Sequence, residues 1–336
     1  MKGIKQDITA AFFPVRLCNL YWGKEIEDII DPKSLLLRNV HVCPRHYAVV
    51  GIYDQHVYQC VTENYELVTN ENAVDIADTI AWIVFRRNRM MDFRHKTVVF
   101  EGVNDAQCCM EFWDEEDFFD TIDHDKWLPF VQIGNSYNST ATLSYELGFR
   151  ICDTDIQITF EDISIRIKDA HTIGALKTLP KELEKSIKDK GLDNMEFIKK
   201  NFIDKMNTLH NAYLGKNDIL PLALRLFDLD YRKDNANKEK CINLQKAIEY
   251  SLSKQKFVES NMYYFIRLVA EIISNPYFWE MGILPRISSV QKYESKVGDL
   301  INELVKYLET RKPSDTLKAF IGDRYYKMAL DIKADM

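Results

Sequence analysis

Two hydrophobic rhythms divide the chain. Up to about residue 175 the apolar positions mostly alternate; beyond it they recur every three to four residues. Tyr47 to Val61 is rich in β-branched and aromatic residues and breaks at Tyr53-Asp54-Gln55, which predicts a hairpin. Glu71 to Arg87 is the exception in this part. Ala73, Ile76, Ala77, Ile80, Ile83 and Val84 form one helical stripe, with Asn70 as N-cap. His95 to Phe112 reads as strand, turn at Val103-Asn104-Asp105, strand. Asp114 to Asp123 reads as a short acidic helix with Phe118, Phe119 and Ile122 inward. Phe130 to Ile167 reads as several short strands, Ile156, Ile158 and Phe160 sharing one face and Ile163, Ile165 and Ile167 another.

Beyond 175 the helical period dominates. Thr178, Pro180 and Glu182 predict a cap, an early proline and an acidic first turn. Further helices are expected over 193–213, 218–228, 238–253, 256–274, 290–310 and 314–331. Gly191, Gly215, the run Asp234 to Asn237, Asn275-Pro276 and Lys312-Pro313 separate them. Stripes such as Met262, Phe265, Ile266 and Val269, or Leu300, Ile301, Leu304 and Leu308, suit a bundle core or an oligomer seam. The expected fold class is α+β: a mixed strand/helix domain over 1–175, then an all-helical domain over 176–336.

Composition sharpens that division. With 46% hydrophobic and 28% charged residues, the 336-residue chain is ordinary for a globular protein, and 12 Gly and 9 Pro leave little room for flexible linkers. The net charge of −7 is uneven. Residues 1–175 carry 16 basic and 28 acidic residues, a balance of −12; residues 176–336 carry +5. Such asymmetry marks a nucleic-acid or protein partner, or two ordinary solvated surfaces. Seven scattered cysteines form no disulfide framework, and no apolar run is long enough for a membrane helix. The expected location is therefore cytoplasmic, without membrane association.

Two stretches carry a family resemblance. Tyr65, Val68, Asn70 and Ala73 match a strand-to-helix step, and Asn135, Ser136, Thr140, Leu143, Arg150 and Cys152 match a polar segment between strands. Asn261-Met262-Tyr263-Tyr264 echoes a helix start of the same family. On these residues, mainly within 40–175, the chain resembles a phage/plasmid-like protein family of unknown function. The resemblance implies a mobile-element origin and brings no catalytic residues. Tyr137, Asn138 and Ser139 stand where the family has His-Asp-Gly, which removes the groups that titrate near neutral pH.

Candidate chemistry is sparse. Arg86, Arg87, Arg89, Arg94 and Lys96 form a basic cluster suited to phosphate, with Tyr65, Trp82, Phe85 and Phe93 nearby for base stacking. The same arginines suit a helix C-terminus. Asn135, Ser136, Tyr137, Asn138, Thr140 and Arg150 form a polar hairpin that serves turn chemistry or a groove. Eight acids between Glu111 and Asp125 read as a solvated face, a carboxylate metal site or a phosphate-mimicking surface. Tyr277, Phe278 and Trp279 read as core or as a partner anchor. His41, Cys43 and His46 fall short of a zinc site unless Cys108 or Cys109 completes it. No phosphate-loop, dinucleotide, zincin or hydrolase motif occurs.

The reading that follows is a non-enzymatic nucleic-acid-binding accessory protein of a mobile element, for single-stranded DNA, with no catalytic residue, cofactor or metal. The alternatives are a module that binds a host protein such as a defence nuclease, and a metal-dependent nuclease. Self-association through the helical stripes is also compatible.

Overall fold

The computed structural model describes residues 3–22, 41–100, 106–121, 125–138, 142–152, 157–160, 162–254, 261–274, 290–312 and 316–336. The fold is α+β. Strands precede residue 170, interrupted by one long helix, and helices follow.

The strands are β1 (Gly3–Gln6), β2 (Val15–Trp22), β3 (His41–Gly51), β4 (Val57–Thr62), β5 (Arg94–Phe100) and β6 (Gln107–Trp113), then β7 (Phe119–Asp120), β8 (Lys126–Ser136), β9 (Leu143–Ile151), β10 (Gln157–Ile158) and β11 (Ile165–Asp169). All described pairings are antiparallel. The larger sheet runs β1-β5-β6-β8-β9; β7 lies beside β6 along one edge of β8, and β10 and β11 share the outer edge of β9. β2, β3 and β4 form a second sheet. The expected hairpin is β3–β4, longer than its sequence signal.

Helix α1 (Asn70–Phe85) covers one face of the large sheet. Its stripe is buried as expected, but Thr69 rather than Asn70 caps it, accepting from the Asn72 amide at 3.1 Å. The acidic stretch departs from expectation. In place of a helix over 114–123 there is a short 3-10 turn, Glu115–Asp117, followed by β7. Asp114 caps the turn, and Phe119 leaves it to pair with Trp127, so burial of an aromatic ring overrides local helix preference.

Helices α2 (Ala175–Asp189), α3 (Met195–His210), α4 (Lys216–Phe227), α5 (Asn235–Lys254), α6 (Met262–Ser274) and α7 (Val290–Thr310) follow. The first of these starts three residues before Thr178, behind Gly174, and takes Pro180 inside. The last expected helix is two: α8 (Leu317–Ile321) and α9 (Asp323–Asp335). Gly322, at φ 98°, breaks them with a backbone conformation that L side chains rarely adopt. Residue 156, the 103–105 turn and the 275–276 break lie outside the described residues.

The buried core does not stop at residue 175. One contiguous cluster runs from Ile8 on the N-terminal side to Ile332 in α9. The join is aromatic. Phe202 of α3, fully buried, lies 4.1 Å from Phe149, 4.8 Å from Trp127, 5.5 Å from Phe160 and 5.6 Å from Phe119, centroid to centroid. Rings at these separations and tilts add to the area they bury. Polar links run beside it: Lys199 meets Asp117 at 2.8 Å, and Tyr263 and Arg267 of α6 both bind the buried Asp125 carboxylate. Phe202→Ala should lower the unfolding free energy by about 3–5 kcal/mol in denaturant titrations. Strand and helix signals should still shift together, because both sides of the join lose the same anchor.

Candidate functional site

The start of α1 and the polar segment after residue 134 meet in space. Asn135 of β8 points toward α1, and its side-chain amide donates to the Val68 carbonyl (3.0 Å) and to the Asn70 side-chain oxygen (2.8 Å). The Asn70 side chain donates in turn to the Ala11 carbonyl (2.8 Å), and the Asn70 backbone amide donates to the Tyr137 hydroxyl (2.8 Å). Asn70, Asn135, Ser136 and Tyr137 are each about 1% exposed. Buried amides must be paired, and here each bond fixes a different segment.

Tyr137 plays a packing role in this junction. Its ring packs 5.5 Å from Phe13 and 5.7 Å from Tyr58, filling the junction with the smaller sheet. Burial pushes its hydroxyl pKa far above the ordinary tyrosine value. Asn138 accepts from the Ser136 hydroxyl at 2.8 Å and closes the turn. Thr140 lies outside the described residues. Arg150 is not part of this cluster. It stands on the opposite face of the sheet, 4.3 Å over the Trp113 ring and 3.4 Å from Glu111. The polar motif is thus mainly a clasp.

The basic cluster is divided. Arg87 turns inward to bridge Asp114 (2.7 Å) and Glu116. Arg86 ends α1 in the left-handed region (φ 60°) and donates to the Asp193 carbonyl at 2.8 Å, yet stays exposed. Arg89 and Arg94 are exposed; the Lys96 side chain lies outside the described residues. Among the aromatics, Phe85 and Phe93 are buried against each other at 5.1 Å, and Tyr65 is stacked on His171. Trp82 alone of the four is open, at 60% exposure. It lies off the buried stripe, one turn before Arg86 and on the side of α1 that carries Asp75 and Asp78. Its sequence signal was a tryptophan out of phase with its helix.

Among the described residues five of the acids pair within the molecule. Glu111 faces Arg150, Asp114 and Glu116 hold Arg87, Asp117 holds Lys199, and Asp125 holds Tyr263 and Arg267. Asp120 is exposed. Among the described residues no group of three His, Cys, Asp or Glu side chains is arranged to hold a metal ion. His41, Cys43 and His46 lie on the smaller sheet, whereas Cys108 and Cys109 lie on the larger one, where burial pushes the Cys108 thiol up to about 12. No described helix is long and apolar enough to cross a membrane. Tyr277, Phe278 and Trp279 lie outside the described residues.

His171 was not singled out by its sequence. It is 4% exposed, sits at φ 57°, and stacks on Tyr65 with centroids 5.1 Å apart and planes 18° apart. Neither ring nitrogen has a hydrogen-bond partner. Burial lowers its pKa, against smaller opposing contributions from the Glu66 backbone and Asp169. The same burial pushes the Tyr65 hydroxyl up to about 12.

No family model, curated protein or solved structure matches the chain.

Two outcomes follow from this geometry. Asn135→Ala strands the Asn70 side chain and should cost about 1–3 kcal/mol of stability by denaturant titration. His171 stays neutral in the native state while the unfolded chain takes up a proton below pH 6.5, its ordinary value. Its share of stability is therefore full above that pH and is lost as pH falls from there toward the depressed native pKa. Thermal unfolding of His171→Phe between about pH 7 and 5 should show a flatter decline than the parent chain.

Proposed function

We propose that the protein is a non-enzymatic, single-stranded nucleic-acid-binding accessory of the mobile-element type that its motifs resemble, and that the contact surface is the C-terminal end of α1. The observation that carries this reading is Trp82. A tryptophan more than half exposed on an ordered helix presents a ring on which a base stacks, and any base offers a suitable face. Arg86 and Arg89 stand just beyond it with exposed side chains for the adjoining phosphates. Asp75 and Asp78, on the N-terminal side of the ring, repel phosphate. They favour a strand that leaves Trp82 toward the arginines. Arg87 is excluded from this role, since Asp114 and Glu116 already neutralise it.

The test is fluorescence anisotropy with labelled single-stranded DNA between about 50 and 200 mM salt. Two phosphate contacts predict a slope of log affinity against log salt near −1.4. Trp82→Ala should weaken binding about 5- to 150-fold, the equivalent of about 1–3 kcal/mol for one stacked base. Arg86→Glu with Arg89→Glu should abolish it, and Arg87→Ala should change stability but not affinity. Binding indifferent to Trp82, or indifferent to salt, would sink the proposal.

A further inference from the structure

A second surface owes nothing to α1. A cleft of about 890 Å³ opens between the outer edge of the large sheet and helices α2, α3 and α7. That is the size of a small-molecule site. Its sheet wall is Thr159, Phe160, Asp162, Ser164 and Arg166; its helical wall comes from α7, with Lys190 and Lys205 between. The helical wall sits close. A Cβ on Gly298 would lie 3.3 Å from the Thr159 backbone, and Asn302 donates to the Thr159 carbonyl at 2.9 Å.

The cleft is charged but balanced. Among the described residues it has four cationic and four anionic side chains, and the apolar Phe160 and Val305 are buried beneath them. Most of the charges are committed. Lys205 meets Asp162 at 2.8 Å, Arg166 meets Asp299 at 3.8 Å, and Glu303 meets Arg225 at 2.5 Å. Lys190 donates to the Ser164 carbonyl at 2.9 Å. Lys306 and Glu309 remain. They are exposed and three residues apart on the cleft side of α7, and neither has an ion-pair partner among the described residues. A purely anionic ligand would meet Lys306 but also the Glu309 carboxylate, and a purely cationic one Glu309 but also the Lys306 ammonium. A ligand with both signs meets a complementary charge at each end.

We propose that this cleft binds a hydrophilic zwitterion, an amino acid or short peptide, with the ligand's carboxylate on Lys306 and its ammonium on Glu309. The lining favours it over nucleotides, because no aromatic face is open in the cleft and the acids repel phosphate. Both reporter side chains are exposed, so their substitution leaves the fold intact.

The experiment is isothermal titration calorimetry on the full chain with the dipeptide Lys-Glu, inorganic phosphate and 1,4-diaminobutane. The dipeptide should bind and the single-sign probes should not. Lys306→Glu and Glu309→Lys should each weaken binding about tenfold or more, the loss expected for a charge-assisted hydrogen bond. The double exchange should restore it, because the ligand can reverse. Trp82→Ala should leave it unchanged, which separates this site from the nucleic-acid surface. The same Lys-Glu pair inside a longer unstructured peptide tells the source: tighter binding marks a protein segment, equal binding a free small molecule. The proposal is overturned if phosphate or the diamine binds as well as the dipeptide, if the exchanges have no effect, or if no heat is seen up to about 10 mM dipeptide.

Discussion

The aromatic join across residue 175 centres on one ring. Phe202 enters a nest of Phe119, Trp127, Phe149 and Phe160, which come from β7, β8, β9 and the segment after β10. The sheet offers an aromatic face that α1 does not fill, and the helical half offers a side chain long enough to reach it. The result is a continuous core from a chain whose two halves differ in rhythm and in charge. Close packing makes such a join cooperative, since neither part can relax around a void at the nest without disturbing the other.

Charge is used in the same economical way. The most basic and most acidic stretches of the N-terminal half look like two surfaces in sequence, but in space they partly neutralise each other through Arg87, Asp114 and Glu116. What this pairing leaves exposed at the end of α1 includes a tryptophan with two arginines beside it. The buried Asn70–Asn135 pair plays the complementary role. It joins the start of α1, the N-terminal segment and β8 through bonds that only a correctly registered β8 can make.

Much of the fold was legible where burial follows a simple period. The stripe of α1 could be read directly because it hides one face, and the β3–β4 hairpin because β-branched and aromatic residues flank a turn at Tyr53-Asp54-Gln55. β1 and β2 gave no comparable signal: one is four residues long, and the other carries exposed Leu17 and Tyr21 at 39% and 43%. The stretch after Asp114 misled because a helical arrangement of Phe118, Phe119 and Ile122 is as compatible with its residues as the turn and strand that form. Pairing with β8 and ring contacts to the distant Phe149 and Phe202 accompany the strand form. Of the candidate residues, the arginines were visible but not their division. Arg87 differs from Arg86 by the direction in which a left-handed residue sends the chain. The cleft was invisible because its walls come from segments more than a hundred residues apart. His171 was invisible because nothing local announces that a ring will be buried without partners.

The first strand has a consequence for synthesis. β1 forms its pairs with β5, so Gly3–Gln6 must wait for Thr97–Phe100 to leave the ribosome. At 5–20 residues per second that interval is on the order of 5–20 s. The Asn70–Asn135 bond waits for a further stretch of chain, and Phe202 for a longer one still. During translation the N-terminal segment therefore remains an unpaired edge, open to chaperones or to neighbouring nascent chains, until the sheet it belongs to has been made.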